Sequence, residues 1–286
     1  MPELPEVETV RRTLQRLVAG KTIQQVVVTL PRIIRRPPEP EAFSRALEGA
    51  TIVEIGRRGK FLKFVLDNGL LLISHLRMEG RYGLYQQGDE VEKHTHVRFL
   101  FTDGTELRYK DVRQFGTMDL FSVEEMEHMG PLLKLGLEPL DEQFTFEAFR
   151  GVIAGKSTKI KPLLLNQECI AGLGNIYVDE VLHASGIHPE RTADKLSGNE
   201  LHRLFDAIVA TLTKAVEAGG SSVKSYVNGQ GEAGQYQLQL RAYGREGMAC
   251  PECGGEIVKF IVGGRGTHIC PHCQPLKKGR TRRKPS

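Results

Sequence analysis

Four of the five cysteines in this 286-residue chain fall into one pattern: Cys250-x2-Cys253, sixteen residues, then Cys270-x2-Cys273. This is the two-knuckle spacing of a four-cysteine zinc site. Tetrahedral Zn2+ takes four ligands, and each Cys-x2-Cys supplies two from one tight turn. Gly254 and Gly255 follow the first pair, where a knuckle needs backbone freedom. Two disulfides are the competing use of the same residues, which a reducing compartment disfavours. Four protein ligands leave no open position, so one structural zinc is expected. Cys169 lies outside the pattern, in an apolar run, and reads as a buried core thiol.

The rest of the chain is ordinary for a folded protein, with 40% hydrophobic and 26% charged residues. No run approaches ~18 consecutive apolar residues, which excludes a transmembrane helix. The N-terminus, Met1-Pro2-Glu3-Leu4-Pro5-Glu6, has neither the basic nor the apolar part of a secretion signal, and a cytoplasmic location is expected. Net charge is +4, but residues 274–286 carry six positives and no acid, which leaves the remainder at −2. A polyanion partner would therefore need local basic clusters. With no tryptophan, any aromatic wedge must be Phe, Tyr or His.

Residues 5–20 read as a helix: Pro5 suits a first turn, Val7, Val10, Leu14, Leu17 and Val18 recur at helical spacing, and Gly20 is the expected cap. The period then changes. Residues 23–30, 51–55, 61–66, 70–75, 81–85, 96–101, 105–109 and 117–121 read as strands, with Asp67-Asn68-Gly69 and Asp103-Gly104 as hairpin turns. After a Gly- and Pro-containing break at 131–139 the signals are helical: a helix capped by Asp141, a short one near Pro162, one from Asn175 to Ser185, and a long one opened by the capping box Ser197-Gly198-Asn199-Glu200. Residues 257–261 form a short strand between the knuckles. The expectation is an α+β protein: an N-terminal helix with an antiparallel β-sandwich over 1–130, a hinge at 131–140, a helical domain over 141–240, a zinc finger over 241–273 and a patternless basic tail over 274–286.

The N-terminus also carries possible chemistry. Initiator methionine is commonly removed before proline, which would expose Pro2 as a secondary amine. Such an amine attacks an aldehyde carbon, and the resulting iminium permits β-elimination. Glu3 beside it can serve as general acid or base. On the dipeptide alone, an idle terminus is the commoner state.

The octapeptide Pro2-Glu3-Leu4-Pro5-Glu6-Val7-Glu8-Thr9 resembles the N-terminal signature of the bacterial formamidopyrimidine-DNA glycosylase family. Residues 59–62 (Gly-Lys-Phe-Leu), 75–80 (His-Leu-Arg-Met-Glu-Gly), 111–116 (Asp-Val-Arg-Gln-Phe-Gly), 172–177 (Gly-Leu-Gly-Asn-Ile-Tyr) and the four-cysteine finger follow in the family's order. The resemblance covers all but the tail after Cys273. It implies base-excision repair of oxidised purines such as 8-oxoguanine in double-stranded DNA. Pro2 would be the Schiff-base nucleophile and Glu3 the proton-handling carboxylate. Lys60 would hold a phosphate beside the lesion, within a cation cluster formed with Arg57 and Arg58, and assist β-elimination. Met78, Arg113 and Phe115 would fill the void left by the extruded base, with Arg113 facing the orphaned partner. Asp111 would brace Arg113 or cap the turn. Asn175 would open the second helix of a helix–two-turn–helix and present its N-terminus to phosphate, act as a plain cap, or do both. Arg265 would be the zinc-finger arginine, contacting the lesion-flanking phosphates and associated with δ-elimination, with His94 and the Lys156/Lys159 pair as further phosphate contacts. Residues 221–239 resemble the loop that closes over the flipped base. No oligomer is implied, and a monomer acting at the nucleoid is expected. The basic tail departs from the family; it either adds nonspecific affinity or is a solvated appendage.

Three other readings make distinct expectations. An endonuclease VIII type enzyme would take oxidised pyrimidines, although Leu4 and the Met78/Arg113/Phe115 arrangement look closer to the purine enzyme. A noncatalytic nucleic-acid-binding module would hold undamaged duplex as tightly as damaged. A zinc-thiolate redox sensor would release zinc under mild oxidation.

Overall fold

The computed structural model describes residues 1–221 and 234–276. Most of the segment 221–239 and of the basic tail lies outside them. The chain divides into two units, one of Met1–Glu138 with Leu212–Gln239 and one of Pro139–Thr211 with Leu240–Ser286.

The first unit opens with α1 (Leu4–Val18), started by Pro5 and by Glu6, whose carboxylate accepts the Glu3 amide at 2.8 Å. Leu4, Val7, Val10, Leu14 and Val18 form its buried stripe. The helix stops at Ala19, and Gly20 follows in a positive-φ conformation one residue beyond the cap position expected for it. Then come β1 (Ile23–Val28), β2 (Ile34–Arg36), α2 (Pro40–Leu47), β3 (Ile52–Arg58), β4 (Phe61–Leu66), β5 (Leu70–His75), β6 (Arg81–Gln86), β7 (Thr95–Phe101), β8 (Thr105–Lys110), β9 (Thr117–Ser122) and α3 (Val123–His128). They build two sheets, ordered β2-β9-β5-β4-β3 and β1-β7-β8-β6.

One apolar core lies between the sheets. It takes Ile55, Leu62, Phe64, Leu72 and Met118 from the first sheet, Val26, Tyr82, Phe99, Phe101 and Tyr109 from the second, and the stripe of α1. The sandwich is antiparallel except for β2, which runs parallel to β9. The sequence reading missed β2 and α2. A three-residue edge strand has too few positions to show a period of two, and α2 starts at Pro40 just after Pro37 and Pro38, a proline cluster that masks a short helix. β3 also runs on to Arg58, because its last residues pair with Phe61 and Leu62 across the Gly59–Lys60 turn.

The second unit contains α4 (Phe146–Ile153), α5 (Ile160–Leu165), α6 (Asn175–Ser185), α7 (Gly198–Glu217, its later residues belonging to the first unit) and the hairpin β10 (Val258–Val262) and β11 (Arg265–Ile269). Asp141 does not cap α4. Thr145 does, its hydroxyl accepting the Ala148 amide at 3.2 Å, while Asp141 accepts the Gln143 amide in the preceding turn. The capping box of α7 forms as read, with Ser197 and Glu200 exchanging hydrogen bonds. Phe144 and Phe149 pack on Phe205. Cys169 is buried. No helix among the described residues is long and apolar enough to cross a membrane.

Candidate active site and nucleic-acid interface

In the first unit the sequence-selected residues sit on the N-terminus of α1 and on turns at strand ends. Pro2 is buried, and Glu3 is only 3% exposed. Glu6 links this terminus to the segment after α7: one carboxylate oxygen takes the Glu3 amide and the other takes the Ser221 amide at 2.6 Å. Gly220, at φ +80°, lies so close that a Cβ there would stand 2.8 Å from that second oxygen.

Lys60 is buried at the β3–β4 turn. Arg57 and Arg58 do not form an open cation cluster with it, which corrects the sequence reading. Arg57 binds Glu8 at 3.0 Å and also Glu138. Arg58 binds Glu138 at 2.7 Å and the Gly136 carbonyl at 2.6 Å. The same Glu138 takes the Gly59 amide at 2.7 Å. Both guanidiniums thus brace the turn that carries Lys60. The charges of Arg77, Lys60 and Arg35 act on His75, and burial adds the larger effect, so its pKa is pushed down to about 3 and the ring is neutral at physiological pH. His75 Nδ1 accepts the Arg77 amide at 2.9 Å, with Arg77 itself at φ +55°.

Met78, His94, Arg113 and Phe115 are brought together by shared supports. Asp111 is fully buried and accepts the amides of Arg113, Phe115 and Gly116 at 3.1, 2.9 and 2.8 Å. It therefore caps the turn rather than bracing the Arg113 side chain. Its own amide donates to the His94 carbonyl at 3.0 Å, and His94 is at φ +68°. The Tyr109 hydroxyl, 3.4 Å from Asp111, lies against two glycines. A Cβ at Gly116 would stand 1.7 Å from it and one at Gly80 2.3 Å, so this oxygen seats both the Met78 turn and the Phe115 turn. Met78 and Phe115 are 38% and 52% exposed, which rules out core packing as their role. The Arg113 guanidinium lies 4.9 Å from the centre of the Phe115 ring. Tyr109, Gly80, Gly116 and Glu138 were not singled out in the sequence. The two glycines stand inside the quoted motifs, but Tyr109 and Glu138 carry no local signal.

In the second unit Gly174 is the N-cap of α6, and Asn175 is its first residue. The Asn175 side chain does not cap the helix. It donates to the Gly266 carbonyl at 2.9 Å, next to Arg265. That carbonyl also takes Lys161 Nζ at 3.0 Å, and Lys161 pairs with Asp179 at 2.6 Å. Asp179 in turn holds the His268 amide at 2.9 Å. Gly263 and Gly264, both at positive φ, make the two-residue turn that β10 and β11 require, and Arg265 projects exposed beside it. A Cβ at Gly263 would stand 2.8 Å from Pro162 Cγ, so the tip rests on α5. Lys156 is exposed on the turn after α4, whereas Lys159 is paired with Glu190 at 2.6 Å.

The four cysteines of the ribbon form no disulfide, and their Sγ atoms lie within 4.8 Å of one another. Tetrahedral zinc with Zn–S near 2.3 Å places its sulfurs about 3.8 Å apart. Cys250–Cys273 and Cys253–Cys270 stand at 3.9 and 3.4 Å, so the donor set fits one structural zinc.

Three family models match in order. They are the formamidopyrimidine-DNA glycosylase N-terminal domain over residues 1–118, the H2TH domain of the same enzyme over 135–227, and the zinc finger found in FPG and IleRS over 248–276. The chain is 64% identical over 274 residues to a formamidopyrimidine-DNA glycosylase of Brevibacillus brevis, covering 96% of this chain and 99% of the relative. A Lactococcus lactis FPG mutant solved with Fapy-dG-containing DNA matches at TM-score 0.90 and 44% identity, over 96% of this chain and 100% of that one. The Lactococcus lactis Fpg solved with abasic-site DNA matches at TM-score 0.89 and 44% identity, over 96% and 99%.

Proposed function

Because the chain belongs to the formamidopyrimidine-DNA glycosylase family, we propose for its residues the following division of labour in the excision of oxidised purines from duplex DNA. The chain is a DNA glycosylase of base-excision repair with abasic-site lyase activity. After removal of Met1, the Pro2 nitrogen attacks C1′ of the damaged nucleotide and the base leaves with its bonding electrons. Glu3 handles the proton. The C1′–O4′ bond then breaks, with a proton delivered to O4′, and the opened sugar holds Pro2 as an iminium that acidifies C2′. Loss of the C2′ proton expels the 3′-phosphate, and a second elimination expels the 5′-phosphate. Lys60 holds a backbone phosphate and assists the first elimination, and Arg265 is associated with the second.

The observation that supports this reading best is the burial of Pro2, Glu3 and Lys60 at a helix start and a strand turn, where ionisable groups are costly and functional tuning is common. Met78 and Phe115 are exposed apolar groups of the kind that fill a vacated stack, and Arg113 faces the unpaired base. Arg265, Asn175, His94 and Lys156 contact phosphates. The zinc stays outside the chemistry and holds the ribbon that presents Arg265. The protein acts as a monomer, in the cytoplasm at the nucleoid.

Borohydride trapping tests the proposal. The mature chain is mixed with a duplex holding one 8-oxoguanine opposite cytosine, and reduction of the iminium leaves a covalent adduct. A chain that keeps Met1 has an acylated Pro2 nitrogen and is expected to give none. Absence of adduct from a chain shown by mass to lack Met1 overturns the lyase assignment. A duplex with an oxidised pyrimidine, added as competitor, measures lesion class.

A further inference from the structure

The last turn of α6 carries a buried histidine that the proposed chemistry does not use. His183 is 3% exposed, and its Nε2 lies 3.3 Å from Sγ of Cys250, itself 2% exposed. Its Nδ1 is buried with no partner among the described residues. The end of α6 is also where the ribbon docks. One turn earlier, Glu180 takes the amides of Arg241, Ala242 and Tyr243 at 2.9, 2.9 and 2.8 Å, which fixes the segment leading to Cys250. Just after the helix, the Ile187 carbonyl takes Gln274 Nε2 at 3.0 Å, and Gln274 Oε1 takes the Cys270 amide at 3.1 Å.

We propose that His183 is a fifth residue of the zinc site: an outer-sphere donor whose Nε2–H hydrogen-bonds the Cys250 thiolate and retains the metal. A zinc-bound thiolate has lone pairs and no proton, so it can only accept. A neutral imidazole has one N–H, and the ring can face this sulfur favourably only with that proton on Nε2. Nδ1 is then a bare lone pair, which fits its lack of a partner better than a stranded N–H would. Four thiolates give a Zn2+ site an excess of two negative charges. A donor aimed at one sulfur draws off part of that charge and makes Cys250 a poorer base and nucleophile toward protons, chelators and electrophiles. Outer-sphere partners of this kind commonly change metal affinity by about 10–100-fold.

The inference rests on zinc occupancy, so the test begins by measuring zinc in the full-length parent chain, one per molecule being expected. Zinc transfer to excess 4-(2-pyridylazo)resorcinol is then followed by absorbance. His183→Phe keeps a planar ring and removes the donor; release should be about tenfold faster. His183→Gln puts an amide N–H near the position of Nε2 and should stay within about threefold of the parent. Equal release from His183→Phe and the parent overturns the proposal, as does a glutamine variant no slower than the phenylalanine one. If His183→Phe does not fold, imidazole 15N shifts of the zinc-loaded parent decide. A proton on Nε2 supports the inference and a proton on Nδ1 overturns it. A parent that holds no zinc overturns the zinc assignment as well, which separates the two failures.

Discussion

Asp111→Ala should disorder the turn that carries Arg113 and Phe115 while leaving the sandwich folded. The carboxylate takes three backbone amides. Hydrogen bonds to a charged group are worth about 1.5–3 kcal/mol each, so the rigid-structure ceiling is roughly 4.5–9 kcal/mol. That ceiling is not reached, because Arg113 and Phe115 are exposed and their amides can turn to water. Only Gly116 is buried, and an orphaned amide there costs about 1–3 kcal/mol. Global stability should therefore fall by about 1–3 kcal/mol, read as a lower urea midpoint. The chain has no tryptophan, so tyrosine fluorescence or far-ultraviolet circular dichroism reports it. The functional loss is separate. With its anchor gone the turn is expected to be in place in only about 1–10% of molecules, and any step that needs it bears that cost. A net penalty of about 1.4–2.8 kcal/mol slows single-turnover excision of 8-oxoguanine by about 10–100-fold. Borohydride trapping on a preformed abasic site, with no base to extrude, should fall less. Asp111→Asn keeps one acceptor oxygen and should lie between parent and alanine. A variant with unchanged midpoint and unchanged excision would refute the account of Asp111 as the organiser of this turn.

His75 is held neutral in the fold with a pKa of about 3, below the usual 6.5. Between those values the unfolded chain binds the extra proton, so stability is full above pH 6.5 and falls by about 1.4 kcal/mol per pH unit on acidification toward 3; His75→Asn, which keeps an acceptor for Arg77, should flatten that slope in urea melts. Glu138→Gln leaves Arg57 and Arg58 without their shared carboxylate, and a loss of about 2–4 kcal/mol is expected, together with a weaker adduct in the trapping assay because the Lys60 turn loosens. Gly116→Ala should destabilise by more than 2 kcal/mol, since its methyl would overlap the Tyr109 hydroxyl, and Tyr109→Phe should recover part of that loss when the two are combined.

The readable parts of this fold are those with a short repeat. The α1 stripe recurs at helical spacing, the long strands alternate between Asp67-Asn68-Gly69 and Asp103-Gly104 turns, and the cysteines carry their own spacing. The unreadable parts depend on one residue meeting another far along the chain. Arg57 and Arg58 look like a basic patch until Glu138, about eighty positions away, neutralises them. Asn175 looks like a cap until its amide is found on Gly266, and His183 looks like one more polar residue on a helix until Cys250 stands beside it. Such pairings leave no periodic trace, because each is set by how two elements dock and not by either element alone.

The same pairings explain how a chain whose body carries net −2 can meet a polyanion. Near the candidate interface, carboxylates point inward and take backbone amides. Glu6 takes Glu3 and Ser221, Asp111 takes three amides of the Arg113 turn, Glu138 takes Gly59, and Asp179 takes His268 in the Arg265 hairpin. Glu6, Asp111 and Asp179 are buried and Glu138 is half-buried, each holding a turn, so they contribute little repulsion at the surface. The turns these acids fix carry the candidate site residues: Pro2 and Glu3, Lys60, Arg113 with Phe115, and Arg265. Formal charge counts both sets alike. Geometry separates them, with these acids serving as struts while Arg113 and Arg265 are left exposed. Replacing any one of these acids by its amide removes a negative charge, which on net charge alone should tighten DNA binding. If the strut reading holds, binding to lesion duplex weakens instead. Glu6→Gln is the cleanest case, because its two amide partners lie at the N-terminus and at Ser221, and tighter lesion binding by that variant would show that charge outweighs position.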